Sequence, residues 1–228
     1  MKTLVKVVIP FYKANLKDWE SAALKQTMNV LGKHPIVFLK PEGLAIDTYT
    51  DLYPQAETMS VSADWLGTHR GIAGYNEMMM SKAFYDLFSD TEYILICHTD
   101  AWIFHDALNE WCQQGYDLVA APWPIRPRYN HFPFKQFLQL KKMLCTPSHG
   151  ISRLQMYGKI GNGGLCLRKV AAFSQACERY AKEITYFNSQ PDSMHNEDIF
   201  WALIPQDFHY SCAVSYTHLR AHETLANL

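Results

Sequence analysis

Residues 93–102 run Tyr93-Ile94-Leu95-Ile96-Cys97-His98-Thr99-Asp100-Ala101-Trp102, and this stretch decides the fold. Tyr93 to Cys97 is an unbroken apolar run, too short for a surface helix and rich in side chains that suit a strand covered on both faces. It passes straight into His98, Thr99 and Asp100. An open α/β sheet keeps its ligand beyond the carboxyl ends of its strands, so Asp100 is either a ligand-binding carboxylate or the cap of the turn that follows.

Upstream, Leu4 to Ile9 is a β-rich run halted by Pro10. Leu16, Trp19, Ala22, Ala23, Met28 and Leu31 then trace one helical face up to Gly32, and Ile36 to Leu39 forms a second strand. Strand, helix and strand in about forty residues make a βα unit that feeds a parallel sheet. Ala56 to Val61 reads as a short strand, and Ser62 to Gly74 as a polar loop carrying Asp64, His69 and Arg70. Tyr75 to Phe88 has helical spacing of its apolar residues.

Downstream, Ala107 to Cys112 predicts a short helix and Asp117 to Ala121 a buried strand ended by Pro122-Trp123-Pro124. The aromatic, proline-rich loop over 122–134 either walls a pocket or covers the core. A helix follows over Phe137 to Leu144. Gly161-Asn162-Gly163-Gly164 precedes a strand at Leu165 to Arg168 and a helical stretch from Val170 to Phe187. Those glycines permit either a close backbone approach or left-handed torsions. They lack the lysine and hydroxyl of a phosphate-binding loop and the spacing of a dinucleotide fingerprint. At His195-Asn196-Glu197-Asp198, Asn196 is placed to cap a helix with two acids in its first turn.

At 228 residues the chain suits one domain with one well-buried core. A net charge of -1 gives no long-range attraction for nucleic acid, so none is expected as a partner. The six cysteines form no C-x-x-C pair and read as reduced core thiols, which fits a cytoplasmic protein. No run is long and apolar enough to predict a transmembrane segment. The last stretch, Val214 to Thr224, resembles the conceptual translation of a sequencing adapter, so the domain is expected over 1–213, truncated, with 214–228 a non-native tail. The i, i+4 spacing of His218 and His222 is discounted for that reason.

Taken together, Ile9–Tyr12, Gly74–Tyr85, Tyr93–Phe104, Ala121–Trp123, Asn162–Arg168 and Asn196–Trp201 resemble the motifs of glycosyltransferases of the A-type fold. More closely, they resemble a bacterial glycosyltransferase-like family of about this size. The resemblance implies an α/β, Rossmann-like single domain with a central, mostly parallel sheet flanked by helices. It implies an inverting transferase, possessing a nucleotide-sugar donor and a glycan or small hydroxyl acceptor, in bacterial surface polysaccharide synthesis.

Residue by residue, Asp100 takes the place of the last acid of the Asp-x-Asp motif, and His98 stands where the first aspartate would be. Asp100 and His98 are thus the implied ligands of Mn²⁺ or Mg²⁺; without a metal, Arg70, Lys82 or Arg168 would neutralise the diphosphate instead. Asp198 is the implied base, with Glu197 binding acceptor hydroxyls or holding the helix start. Asn162, Gly163 and Gly164 would line the acceptor or donor-sugar pocket, and Trp123 and Trp102 offer a platform for a sugar ring or simply belong to the core. A non-catalytic carbohydrate- or nucleotide-binding protein on the same fold is the alternative, motivated by His98.

Overall fold

The structure is a computed structural model that describes residues 2–144, 151–161, 163–190, 192–212 and 219–221. Its strands are β1 (Thr3–Pro10), β2 (Ile36–Pro41), β3 (Glu57–Val61), β4 (Thr91–Cys97), β5 (Ala101–Ile103), β6 (Leu118–Ala120), β7 (Leu165–Lys169), β8 (Tyr210–Cys212) and β9 (Leu219–Ala221). Its helices are α1 (Asp18–Leu31), α2 (Asp47–Leu52), α3 (Ile72–Met79), α4 (Lys82–Asp86), α5 (Leu108–Gln113), α6 (Phe134–Leu144), α7 (Arg153–Met156), α8 (Val170–Arg179), α9 (Ala181–Ser189) and α10 (Glu197–Leu203).

A seven-stranded sheet runs in the order β3-β2-β1-β4-β7-β6-β8. The first four are parallel to one another, β7 is antiparallel to both β4 and β6, and β8 is parallel to β6. This is the expected α/β architecture with a mostly parallel sheet flanked by helices. Alternate residues of β4 enter opposite cores. Ile94 and Ile96 pack with Phe84, Phe173 and Trp201, whereas Tyr93, Leu95 and Cys97 pack with Leu24, Met28 and Trp111. Cover on both faces is the reason that the run is apolar at every position. Full burial of such side chains contributes about 1.5–3 kcal/mol each.

The reversal at β7 sets the geometry of everything that follows. Because Cys97 pairs with Leu165, the carboxyl end of β4 and the amino end of β7 share one rim of the sheet. The His98 N–H donates to the Gly164 carbonyl across that rim at 2.9 Å.

Several local expectations are corrected. Tyr75 to Phe88 is two helices: α3 starts earlier, at Ile72, and α4 restarts where the Ser81 hydroxyl accepts the Ala83 N–H at 3.2 Å. The stretch after β7 is likewise split, with α8 and α9 meeting at Tyr180. The short elements α2, α7 and β5 lack enough periodicity to stand out in sequence. Leu219–Ala221 pairs antiparallel with β5, from Ile103↔Leu219 to Ala101↔Ala221. His218 and His222 lie outside the described residues. Cys97, Cys112, Cys166 and Cys177 are buried free thiols, as expected. Among the described residues no helix is long and apolar enough to cross a membrane.

Candidate active site

The rim gathers two groups of side chains. The first lies where β1 and β4 end. His98 Nε2 is 2.9 Å from the Tyr75 hydroxyl and 3.3 Å from that of Tyr12, and the three rings meet edge to face. Burial pushes the His98 imidazole down to about 4, with Arg168 adding to the effect, so the ring is neutral at pH 7. Burial also raises both tyrosines, and these hydroxyls stay protonated.

Asp100 stands beside this trio, half-buried. Burial raises its carboxyl; Glu20 adds to the rise, and Lys13 opposes it. Lys13 itself pairs with Glu20 at 2.7 Å, and the second function of that carboxylate is to accept the Lys17 N–H at the start of α1, also at 2.7 Å. The cation that acts on Asp100 is therefore Lys13, in the loop after β1.

The second group is the start of α10. Arg168, 1% exposed, donates to Glu197 at 2.8 Å and to the Tyr85 hydroxyl at 2.9 Å, and it lies over the Phe173 ring. Glu197 is 3% exposed; burial raises its carboxyl, and Arg168 pulls it back. An anchored Glu197 fixes the position of its neighbour. Asp198 is only partly buried, yet burial and the adjacent Glu197 push its carboxyl up to about 7, against the Ile199 N–H that it accepts at 2.8 Å.

The glycine turn exists to let this helix start come close. A Cβ on Gly163 would sit 2.4 Å from Glu197 Oε1, and one on Gly161 would sit 2.8 Å from the Asp198 carbonyl oxygen. Gly161 has no positive φ, so close approach, rather than left-handed torsion, is what requires a glycine there. The cap of α10 also differs from expectation. The Asn196 side chain makes no cap bond; Asn76 of α3 reaches over to accept the Glu197 N–H at 3.1 Å and donates to Asn196 Oδ1 at 3.0 Å.

Of the side chains expected at the site, His98, Asp100, Gly163, Gly164, Glu197 and Asp198 are brought to this one rim. Arg168 is there too, but enclosed and committed to Glu197, so it presents no face to a diphosphate. Lys82 pairs with Asp86 at 2.7 Å, with Glu178 at 3.9 Å, on the α4–α8 side. Arg70 pairs with Glu77 at 2.7 Å. Trp123 packs against Ile199, Ala202 and Leu203 of α10, which makes it partly core. Trp102 lies in β5, partly buried. Asn162 lies outside the described residues.

Among the described residues no three His, Cys, Asp or Glu side chains converge as a metal cage. The Nε2 of His98 faces two tyrosine hydroxyls. A lone carboxylate at Asp100 fits a hard cation that takes most of its shell from substrate phosphate oxygens and water, and does not fit a resident ion.

Residues 55–218 match the family described as "Protein of unknown function (DUF5672)". The chain belongs to that family. A search of curated proteins finds no match. Among solved structures, this DUF5672 chain is similar in fold to the mannosyltransferase Ktr4p from S. cerevisiae, solved with GDP, at a TM-score of 0.57 and 12% identity. The alignment covers 89% of this chain and 66% of that one, so the DUF5672 chain spans just under two thirds of the first structure it matches. It is similar also to the galactosyltransferase LgtC, solved with donor and acceptor sugar analogues, at 0.56 and 13%, covering 91% of this chain and 73% of that one. Core-mannan synthase A from Aspergillus fumigatus, in its Mn/GDP form, aligns at 0.50 and 10%, covering 92% and 73%. At these identities the likeness establishes an A-type glycosyltransferase fold.

Proposed function

We propose that this protein transfers a sugar from a nucleotide-sugar donor to an acceptor hydroxyl with inversion, and that Asp198 is the base. The observation that carries the reading is the pair of adjacent carboxylates in unlike settings. Glu197 is locked to Arg168, whereas Asp198 is open at the rim and poised near pH 7. A general base works best when its pKa lies near the operating pH. In the reaction the acceptor oxygen forms a bond to the anomeric carbon and gives its proton to Asp198, while the bond to the diphosphate breaks and its electron pair leaves with the phosphate oxygen. Asp100 and Lys13 lie at the end of β4 and the loop after β1, where the leaving group would gather charge. Asp100 would hold a Mn²⁺ or Mg²⁺ ion that enters with the donor, which would supply further counter-charge there. Arg168, Asn76 and the glycine turn hold α10 in place. A glycan acceptor of a bacterial surface polysaccharide and a cytoplasmic location complete the proposal.

The test is transfer from a panel of nucleotide sugars with Mn²⁺. Asp198→Asn is expected to lower transfer by about 10²–10⁴-fold while nucleoside diphosphate binding persists. Wild-type transfer should rise with pH through about 7 as Asp198 loses its proton. Unchanged transfer in the variant removes Asp198 from the chemistry, and retention at the anomeric carbon, seen by proton NMR of the product, refutes inversion. The second reading, a binding protein without turnover, is favoured by the single carboxylate at the end of β4; it requires that the parent bind nucleotide sugars and never consume them.

A further inference from the structure

Beside the start of α10, between the first turn of α3 and the end of α9, lies a cavity of about 220 Å³. Its walls include Asn76, Phe187, Asn188, Gln190, Asp192 and His195. The His195 side chain is only 10% exposed and is wedged against the rings of Tyr186 and Phe187. Its Nδ1 lies 2.9 Å from the Asp192 carboxylate, which also accepts the Met194 N–H at 2.8 Å. A carboxylate only accepts, so a ring proton sits on Nδ1, and in the neutral imidazole Nε2 presents a lone pair. That Nε2 is buried and has no hydrogen-bond partner among the described residues.

A buried acceptor without a donor is unfavourable, and a cavity several times the ~30 Å³ share of one water leaves room for a ligand to supply that donor. The chemistry of the walls selects the ligand. No lysine or arginine is among the lining side chains, and Asp192 disfavours an anion, so the walls do not suit a phosphate. Carboxamides offer donors and acceptors, while Phe187, with Ile72 and Ala73, offers an apolar surface for C–H groups. We propose that this cavity is a saccharide subsite in which His195, oriented by Asp192, accepts a hydrogen bond from a ligand hydroxyl. Asn196, which also lines the cavity, directly precedes Glu197 and Asp198. On the transferase reading above, upon which this last step rests, the occupant is the acceptor glycan.

The experiment follows the imidazole ¹⁵N resonances of the full chain while methyl glycosides of glucose, galactose, mannose and N-acetylglucosamine, and their disaccharides, are added in the presence of nucleoside diphosphate. One of these sugars is expected to move the His195 Nε2 resonance saturably. His195→Leu should weaken that sugar at least tenfold, His195→Gln should restore part of the affinity, and nucleoside diphosphate binding should be unchanged in both. Sugars that bind without moving His195, or no sugar binding in a chain that still binds nucleotide, overturn the subsite and leave the Asp198 reading standing. A sugar bound at His195 by a chain that never transfers one upholds the subsite and refutes the transferase.

Discussion

The β1–β4 corner and the start of α10 face the same rim, and burial drives both toward neutrality with opposite consequences. At the first, the His98 imidazole is pushed down to about 4 among tyrosine hydroxyls, so that ring does not change charge near neutral pH. At the second, the Asp198 carboxyl is pushed up to about 7, so the same cause places a proton transfer at the working pH. The two groups start from opposite sides of neutrality, and that decides which becomes a candidate for chemistry and which becomes scaffold.

The largest break in this contrast should come from Arg168→Ala. It leaves Glu197 buried without its counter-ion, and removing one partner of such a pair costs about 3–5 kcal/mol. Chemical denaturation measures it; a loss below about 1 kcal/mol would mean that Glu197 finds another partner. Gly163→Ala is next, at about 1–3 kcal/mol, because its Cβ must displace a carboxylate that is already pinned. Neutral stability in that variant would show that the turn is not what seats α10.

The finest distinction is in the pH dependence of stability. Asp198 has a raised folded pKa, so the folded state holds its proton more tightly, and its contribution to stability falls as pH rises from about 4 to about 7. His98 has a depressed folded pKa, so the unfolded chain takes up the proton first, and stability falls as pH drops from about 6.5 to about 4. The two slopes oppose each other over one window. Asp198→Asn is expected to uncover a stability that declines toward acid, and His98→Gln one that declines toward neutral pH, both in urea midpoints taken from pH 4 to 7. Parallel curves for wild type and both variants would refute the contrast itself.

Much of the fold was legible because its signals are local. The apolar run of β4, the proline after β1 and the amphipathic face of α1 each report a strand or helix within a few residues. The helix breaks at Met80–Ser81 and Tyr180 were not, since periodicity continues across them and only packing shows where each helix turns away. At the site, Asp100, Glu197 and Asp198 stood out by residue type and position. Arg168 stood out as well, but as a cation for a ligand, because nothing in a sequence says that the partner of a charge lies inside the core. Asn76 as the cap of α10, Lys13 beside Asp100 and the tyrosine pair on His98 depend on contacts across 121, 87 and 86 or 23 positions of chain, which no spacing rule reaches. The i, i+3 spacing of Asp192 and His195 was an unused local signal.

By itself the sequence determined the order of the main strands and helices, the rim at which polar residues follow buried strands, and the carboxylates available there, since hydrophobic periodicity and residue chemistry are written position by position. Only the tertiary structure decided which of those carboxylates is locked and which is poised, because a pKa is set by burial and by neighbours that the reversal of β7 brings together from distant parts of the chain.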